Sequence, residues 1–261
     1  MFARVCLRLG AALAAAVVIA GSAGAATADL TILNSFARSE LGAAQQAMSD
    51  FVASQSITSL QVETFEEFDA WTAPGDPGTS NPQTTNAGSF TGFGGTGAGH
   101  AAIKGGTAAE VRGDNSMPWG RYNTDLLPPG LIGGNWLDSN DMTGMRWTVE
   151  GLGMFNTLAF FLIDVADVGG RFSINVGGQS FVDLAGAGGR LANGNLMLVL
   201  ITLSEAVDSL TVEMMHDRTN DGFGIDGAIV ANIAPIPLPP AAALLFAGLA
   251  ALAGVRRRRA A

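Results

Sequence analysis

The chain alternates between long polar, glycine-rich stretches and short apolar runs, and most of those runs have the two-residue period of a half-buried strand. One segment departs from that period. Phe36, Leu41, Ala44, Met48 and Phe51 recur at helical spacing, and Ser35 stands where a cap belongs, so the pattern predicts a helix over Asn34–Phe51. The next run, Ile57–Phe68, reads as a strand, with Leu60, Val62 and Thr64 alternating against Gln61, Glu63 and Phe65. Residues 71–99 are loop-like, although the Phe90-x-x-Phe93 pair is expected to return to the core. Ala101–Ile103 and Ala108–Val111 are short strand candidates, and 113–141 is irregular.

From Met145 onward the strand signal is strong. It covers Met145–Val149, Thr157–Val165, Arg171–Val176, Ser180–Leu184, Asn195–Leu203, Ser209–Met215 and Phe223–Ile233. Gly177-Gly178 between two alternating runs predicts a two-residue hairpin that sets Val176 against Gln179 and Ile174 against Phe181. Many strands at short spacing, after long early loops, predict a mainly β body: a jelly-roll-like β-sandwich with one N-terminal helix. Of the doublets Phe160-Phe161 and Met214-Met215, one member each is expected in the core.

The two ends have different compositions from the body. Residues 1–28 carry Arg4 and Arg8, an apolar run Leu9–Ala20 and small residues, the pattern of a secretory signal peptide. Ala26-Thr27-Ala28 fits the small-x-small rule and would start the mature chain at Asp29; Ala23-Gly24-Ala25 is a second candidate. At the other end, residues 236–261 contain Ile236-Pro237-Leu238-Pro239-Pro240, an uncharged apolar run over 241–255, and Arg256, Arg257, Arg258 and Arg259. Fifteen helical residues are short for a bilayer core of about 30 Å, but flanking residues and snorkelling arginine stems make a short transmembrane helix feasible. The arginines are expected to hold the C-terminus on the cytoplasmic side of the inner membrane.

This tail resembles the VPLPA-type variant of the PEP-CTERM sorting signals, with Ile236 in place of the family's Val and Pro240 in place of its Ala. The resemblance implies export through the secretory translocon, transient anchoring in the inner membrane, and processing by exosortase towards the cell envelope or the extracellular space. Glu63–Phe68, Phe160–Val165 and Asp221–Gly227 also resemble pieces of exported PEP-CTERM-type proteins with β-sandwich bodies. That group implies no catalytic activity.

The exported body, Asp29–Pro235, has 207 residues, enough for one domain with a sizeable core. It holds all 23 acidic residues and eight of the 14 basic ones, a formal charge of −15, which disfavours nucleic acid as a partner and suits divalent cations. Cys6 is the one cysteine and precedes the body, so disulfides and thiolate chemistry are excluded there.

Candidate chemistry is sparse. His100 falls in a glycine-rich loop, and His216 beside Asp217 reads as a surface pair. No Gly-x-Ser-x-Gly elbow supplies a nucleophile. Gly92–Gly97 lacks the Lys-Ser/Thr ending of a phosphate loop. Glu66-Glu67, Asp138 with Asp141, Asp164 with Asp167, and Asp217 with Asp221 are paired carboxylates of the kind glycoside hydrolysis needs, but read first as solvated loop acids. Trp119, Tyr122 and Trp136 are candidates for a sugar-stacking platform. The first strong strand and the last are expected side by side, which would bring Glu66, Asp221 and Asp226 together as ligands of a structural calcium ion, with Glu67 and Asp217 in reserve. The sequence therefore points to a non-enzymatic surface or extracellular-matrix protein associated with extracellular polysaccharide. A carbohydrate-binding module is the alternative, and a glycosidase or lyase a more distant one.

Overall fold

The computed structural model describes residues 26–69, 79–80, 82–94, 109–112, 121, 124, 134–139, 142–182, 189–218 and 221–234. The sorting motif, the apolar run, the arginine block, residues 1–25, His100, Trp119 and Tyr122 lie outside them. No helix among the described residues is long and apolar enough to cross a membrane.

Among the described residues the fold is mainly antiparallel β with one α-helix. In chain order the elements are β1 (Ala28–Phe36), a 3-10 turn (Arg38–Glu40), α1 (Leu41–Ser54), β2 (Ile57–Glu63), β3 (Thr79–Ser80), β4 (Gln83–Thr85) and β5 (Gly88–Phe93). Then come β6 (Ala109–Arg112), β7 (Trp136–Asp138), β8 (Gly144–Ile163), β9 (Phe172–Val176), β10 (Gln179–Val182), β11 (Leu196–His216) and β12 (Gly224–Ile233). Two pairs of expected strands are thus continuous: β8 joins Met145–Val149 to Thr157–Val165, and β11 joins Asn195–Leu203 to Ser209–Met215.

These two long strands pair with each other along most of their length but break register around Val207. On one side of the break, Gly144–Glu150 and Ser209–Met215 form a front sheet with β5, β4, β9 and β10. On the other side, Thr157–Ile163 and Leu196–Thr202 form a back sheet with β1, β12 and β2, and β7, β6 and β3 extend it from the first residues of β12. Trp147 on the front half of β8 meets Phe160 on its back half edge-to-face, at 5.7 Å between ring centroids. A strand that touches itself in this way has folded over, so the two halves face each other as layers.

The main core fills the space between the layers. Trp147, Val149, Ile174, Val176, Val212 and Met214 enter it from the front sheet, and Leu158, Phe160, Leu162, Val199, Ile201 and Val230 from the back. A second cluster lies behind the back sheet, where Ala44 and Met48 of α1 cover Ala159, Phe161, Ile163, Leu196, Leu198, Ile229 and Ala231. That cover explains why β8 from Leu158 to Ile163 and β11 from Leu196 to Ile201 are apolar at every position, not at alternate ones. It also corrects the doublet expectation: Phe160 and Phe161 are both buried, one in each cluster.

The helix begins later than its spacing predicts. Asn34–Phe36 belong to β1, which pairs with Leu196–Leu203 of β11 through a bulge between Ile32 and Asn34. The bulge shifts inward pointing from Ala28, Leu30 and Ile32, which pack on the main core, to Leu33 and Phe36, which pack behind it. This mixed spacing imitates a helical period. The strand Ile57–Phe68 ends at Glu63, because Phe65 takes a left-handed φ of 61° and turns its ring into the core. The Gly177-Gly178 hairpin has the expected register, Val176 opposite Gln179 and Ile174 opposite Phe181.

Candidate functional site

Two regions outside the cores carry polar chemistry. The first is one end of the sandwich, where β7, β8 and β11 terminate and β12 begins. Asp138, Asp164, Asp221 and His216 are buried there, not solvated in loops or on the surface as the sequence suggested. Arg121, also buried, pairs with Asp138 at 2.8 Å. His216 shares a 2.6 Å hydrogen bond between Nε2 and the Met142 carbonyl, and burial pushes its pKa below the usual imidazole value.

The loop after β8 and the segment before β11 are laced together around Asp164. Its backbone N–H donates to the Asn195 carbonyl at 2.7 Å, and Gly194 N–H donates to its Oδ1 at 2.6 Å. The Asn195 amide Nδ2 donates to the Val165 and Ala192 carbonyls at 2.8 and 2.9 Å. Asp221 lies close enough to the half-buried Asp167 for their carboxyls to hydrogen-bond, and it feels the charge of Asp164. Desolvation, with neighbouring carboxylates behind it, pushes both Asp164 and Asp221 up to about 7.

The three expected calcium ligands do not assemble. Strands β2 and β12 are neighbours as predicted, Glu63 standing opposite Ala228. Glu66 and Asp226 consequently come near each other, but their oxygens serve the backbone. Glu66 accepts from Gly134 and Asn135 N–H groups at 2.8–2.9 Å, and Asp226 accepts from the Thr124 N–H and hydroxyl and from Gly227 N–H, each at 2.8 Å. Asp226 is sealed in, and burial raises it to about 7. Asp221 belongs instead with Asp164 and Asp167. Of the two reserves, Glu67 accepts a 3.4 Å bond from Asn86 Nδ2, and Asp217 holds Arg171 N–H at 2.9 Å. Among the described residues no three of His, Cys, Asp or Glu converge as a metal-holding group. Trp136 is wholly buried against Gly224 of the back sheet, so it offers no face to a sugar ring.

The second region is the outer face of the front sheet, which the sequence reading did not single out. Register aligns Thr91, Arg146, Glu213, Asn175 and Ser180 in one row across five strands. Ser89, Thr148 and Thr211 form the next row, all of them half-buried or more open. Arg146 binds Glu213 through Nε and Nη2 at 2.9 and 2.7 Å and lies over the Phe93 ring at 5.6 Å. The period-two alternation of Arg146 and Thr148 against Met145, Trp147 and Val149 was the available signal.

No family model matches the chain, and no curated protein does. Solved structures do. The K2 cleaved adhesin domain of Lys-gingipain is 9% identical over 66% of this chain and 98% of its own, with a TM-score of 0.37. The CBM22-1–CBM22-2 tandem of Paenibacillus barcinonensis Xyn10C is 14% identical over 72% of this chain, with a TM-score of 0.32; the match spans 49% of that protein. Its CBM22-1 xylan-binding domain alone is 12% identical over 69% of this chain and 97% of its own, with a TM-score of 0.31. These likenesses are loose, and the ligands those proteins are named for do not pass to this chain by similarity.

Proposed function

We propose that this chain is an exported, non-catalytic carbohydrate-binding domain that presents the outer face of its front sheet to polysaccharide. The observation that carries this reading is the difference between the two sheets. In its centre, over β8, β11 and β12, the back sheet is covered by α1 and buried on both faces, with exposed polar side chains confined to its β1 and β2 edges, whereas the front sheet shows rows of hydroxyl, amide, guanidinium and carboxylate groups to solvent across five strands. Such a face offers donors and acceptors at strand spacing to a hydroxyl-rich chain, with Arg146 held in place by Glu213 and Phe93. A body charge of −15 argues against nucleic acid as the ligand.

Affinity electrophoresis of the full chain in mild detergent, through gels containing xylan, mixed-linkage glucan or the producing cell's own polysaccharide, tests this. Retardation in at least one gel is expected, with most of it lost in Arg146→Ala and retained in the remote surface variant Asp208→Asn. Unretarded migration in every gel overturns the proposal and leaves a structural matrix role.

Export completes the reading. The signal peptide directs the chain to the translocon, and the tail from Ile236 holds it in the inner membrane until exosortase removes it near Pro237–Pro240, releasing the body to the cell surface or matrix. Mass spectrometry of the released protein, from cells with and without exosortase, is the test. A released chain that retains Arg256–Arg259 defeats it.

A further inference from the structure

At the buried end of the sandwich, three oxygens have no hydrogen-bond donor: Asp164 Oδ2, Asp221 Oδ1 and Asn195 Oδ1. Their residues are 1%, 4% and 5% exposed, so bulk water does not serve them. When both carboxyls are ionised all three oxygens only accept and cannot satisfy one another, so a buried group that receives them must be a donor or a cation. Two neighbouring donors are already spent. The Asn195 amide faces Val165 and Ala192 with its nitrogen, which turns its oxygen the other way, and Gly194 N–H occupies the other oxygen of Asp164. One water has two hydrogens to give to three acceptors. Asp167 adds its charge to both Asp164 and Asp221, and Asp138 adds its own at Asp164, while Arg121 is engaged by Asp138.

We propose that Asp164, Asp221 and Asn195 supply the oxygens of a divalent-cation site that takes calcium and ties the loop after β8 to the segments preceding β11 and β12. Two carboxylates and an amide oxygen are ligands that calcium accepts, with backbone carbonyls and water filling the six to eight positions it uses. Magnesium demands a tighter octahedron and gives up its waters reluctantly, so it is the weaker ligand here. Asp167, half-exposed and close to the Asp221 carboxyl, stands on the solvent side and contributes charge. Glu66 and Asp226 take no part, because their oxygens are bound to backbone N–H groups. The site is independent of the front-sheet face.

Calcium chloride and magnesium chloride titrated into the chelator-stripped full chain, followed by calorimetry and melting temperature, provide the test. The expected result is one saturable calcium event with a dissociation constant below about 1 mM, a higher melting temperature, and a weaker response to magnesium. Asp164→Asn and Asp221→Asn should each weaken calcium binding at least about 10-fold, while Asp226→Asn leaves it unchanged. No heat and no thermal shift at 10 mM calcium (roughly ten times the weakest dissociation constant expected of such modules) overturns the proposal, as does undiminished binding in both site variants. If those two variants fail to fold, Asp167→Asn decides: binding weakened several-fold supports the site, and unaltered binding overturns it.

Discussion

Trp147 and Phe160 belong to one strand, thirteen residues apart, and their rings meet edge-to-face at 5.7 Å and 86°. A straight strand would hold them roughly 43 Å apart at about 3.3 Å per residue. The contact therefore measures the fold: β8 turns back between Glu150 and Phe155 and closes the two layers over the core. Phe90, stacked on Trp147 at 5.3 Å, extends the aromatic cluster into β5.

Phe160→Ala should cost about 3–5 kcal/mol, as large-to-small changes of buried aromatics do. Phe161→Ala should cost a similar amount but act elsewhere, because Phe161 packs under α1. Hydrogen exchange separates them. Exchange from 41–54 should accelerate locally in Phe161→Ala, and not in Phe160→Ala beyond the global loss of stability.

The turn in β8 depends on two glycines. Gly151 and Gly153 have φ of 72° and 84°, and an added Cβ at either would meet no atom within 4 Å. Any penalty for alanine there is conformational and not steric, on the order of 1–2 kcal/mol per residue. Denaturant melts of Gly151→Ala and Gly153→Ala should show that loss with no change in m-value. An unchanged midpoint would mean that the fold-over does not need left-handed backbone at these positions.

The strands were legible because the front halves of β8 and β11 alternate plainly, and because Gly177-Gly178 specifies its own hairpin. What was not legible came from long-range burial. Nothing local marks that Met145–Val149 and Thr157–Val165 are one strand, since the exposed stretch around Met154 reads as a loop. Asp164 and Asp221 read as solvated acids because a sequence does not show that three strand ends converge on them. The Glu66–Asp226 approach followed correctly from β2 lying beside β12, but the backbone N–H groups of Gly134 and Asn135 that claim Glu66 come from a segment with no pattern of its own.

The start of β1 bears on the proposed signal-peptide cleavage. Thr27 N–H donates to Ser204 Oγ at 3.0 Å, Ser204 N–H donates to the Thr27 carbonyl at 2.9 Å, and Ala28 pairs with Leu203 while donating to Gln179 Oε1. Cleavage after Ala28 would remove all of these and place a charged amine at the sheet edge. Cleavage after Ala25 keeps them. N-terminal sequencing of the exported protein should therefore read Ala26 first, and a chain beginning at Asp29 would refute this. A recombinant body starting at Asp29 should melt lower than one starting at Ala26.

Stability should fall as pH rises from about 4 to about 7 in the cation-free protein. The reason is Asp226, raised by burial from 3.8 to about 7, with Glu63 raised in the same direction. In that window the folded chain keeps a proton that the unfolded chain has released, so the contribution of each group is complete below the unfolded value and lost on approach to the folded one. The slope from Asp226 is at most about 1.4 kcal/mol per pH unit. Asp164 and Asp221 add to it, while His216, held neutral by burial, acts the other way below 6.5, where its unfolded form takes up a proton. Asp226→Asn isolates the contribution of this carboxyl. Its amide leaves the Thr124 and Gly227 donors poorly served, so the variant should be less stable at pH 5, but with no proton to lose it should decline less steeply towards pH 7.5. Melting temperatures of both proteins across that range, in chelator, are the measurement. Parallel curves would show that the Asp226 carboxyl is ionised in the folded protein throughout, with its three hydrogen bonds outweighing its burial.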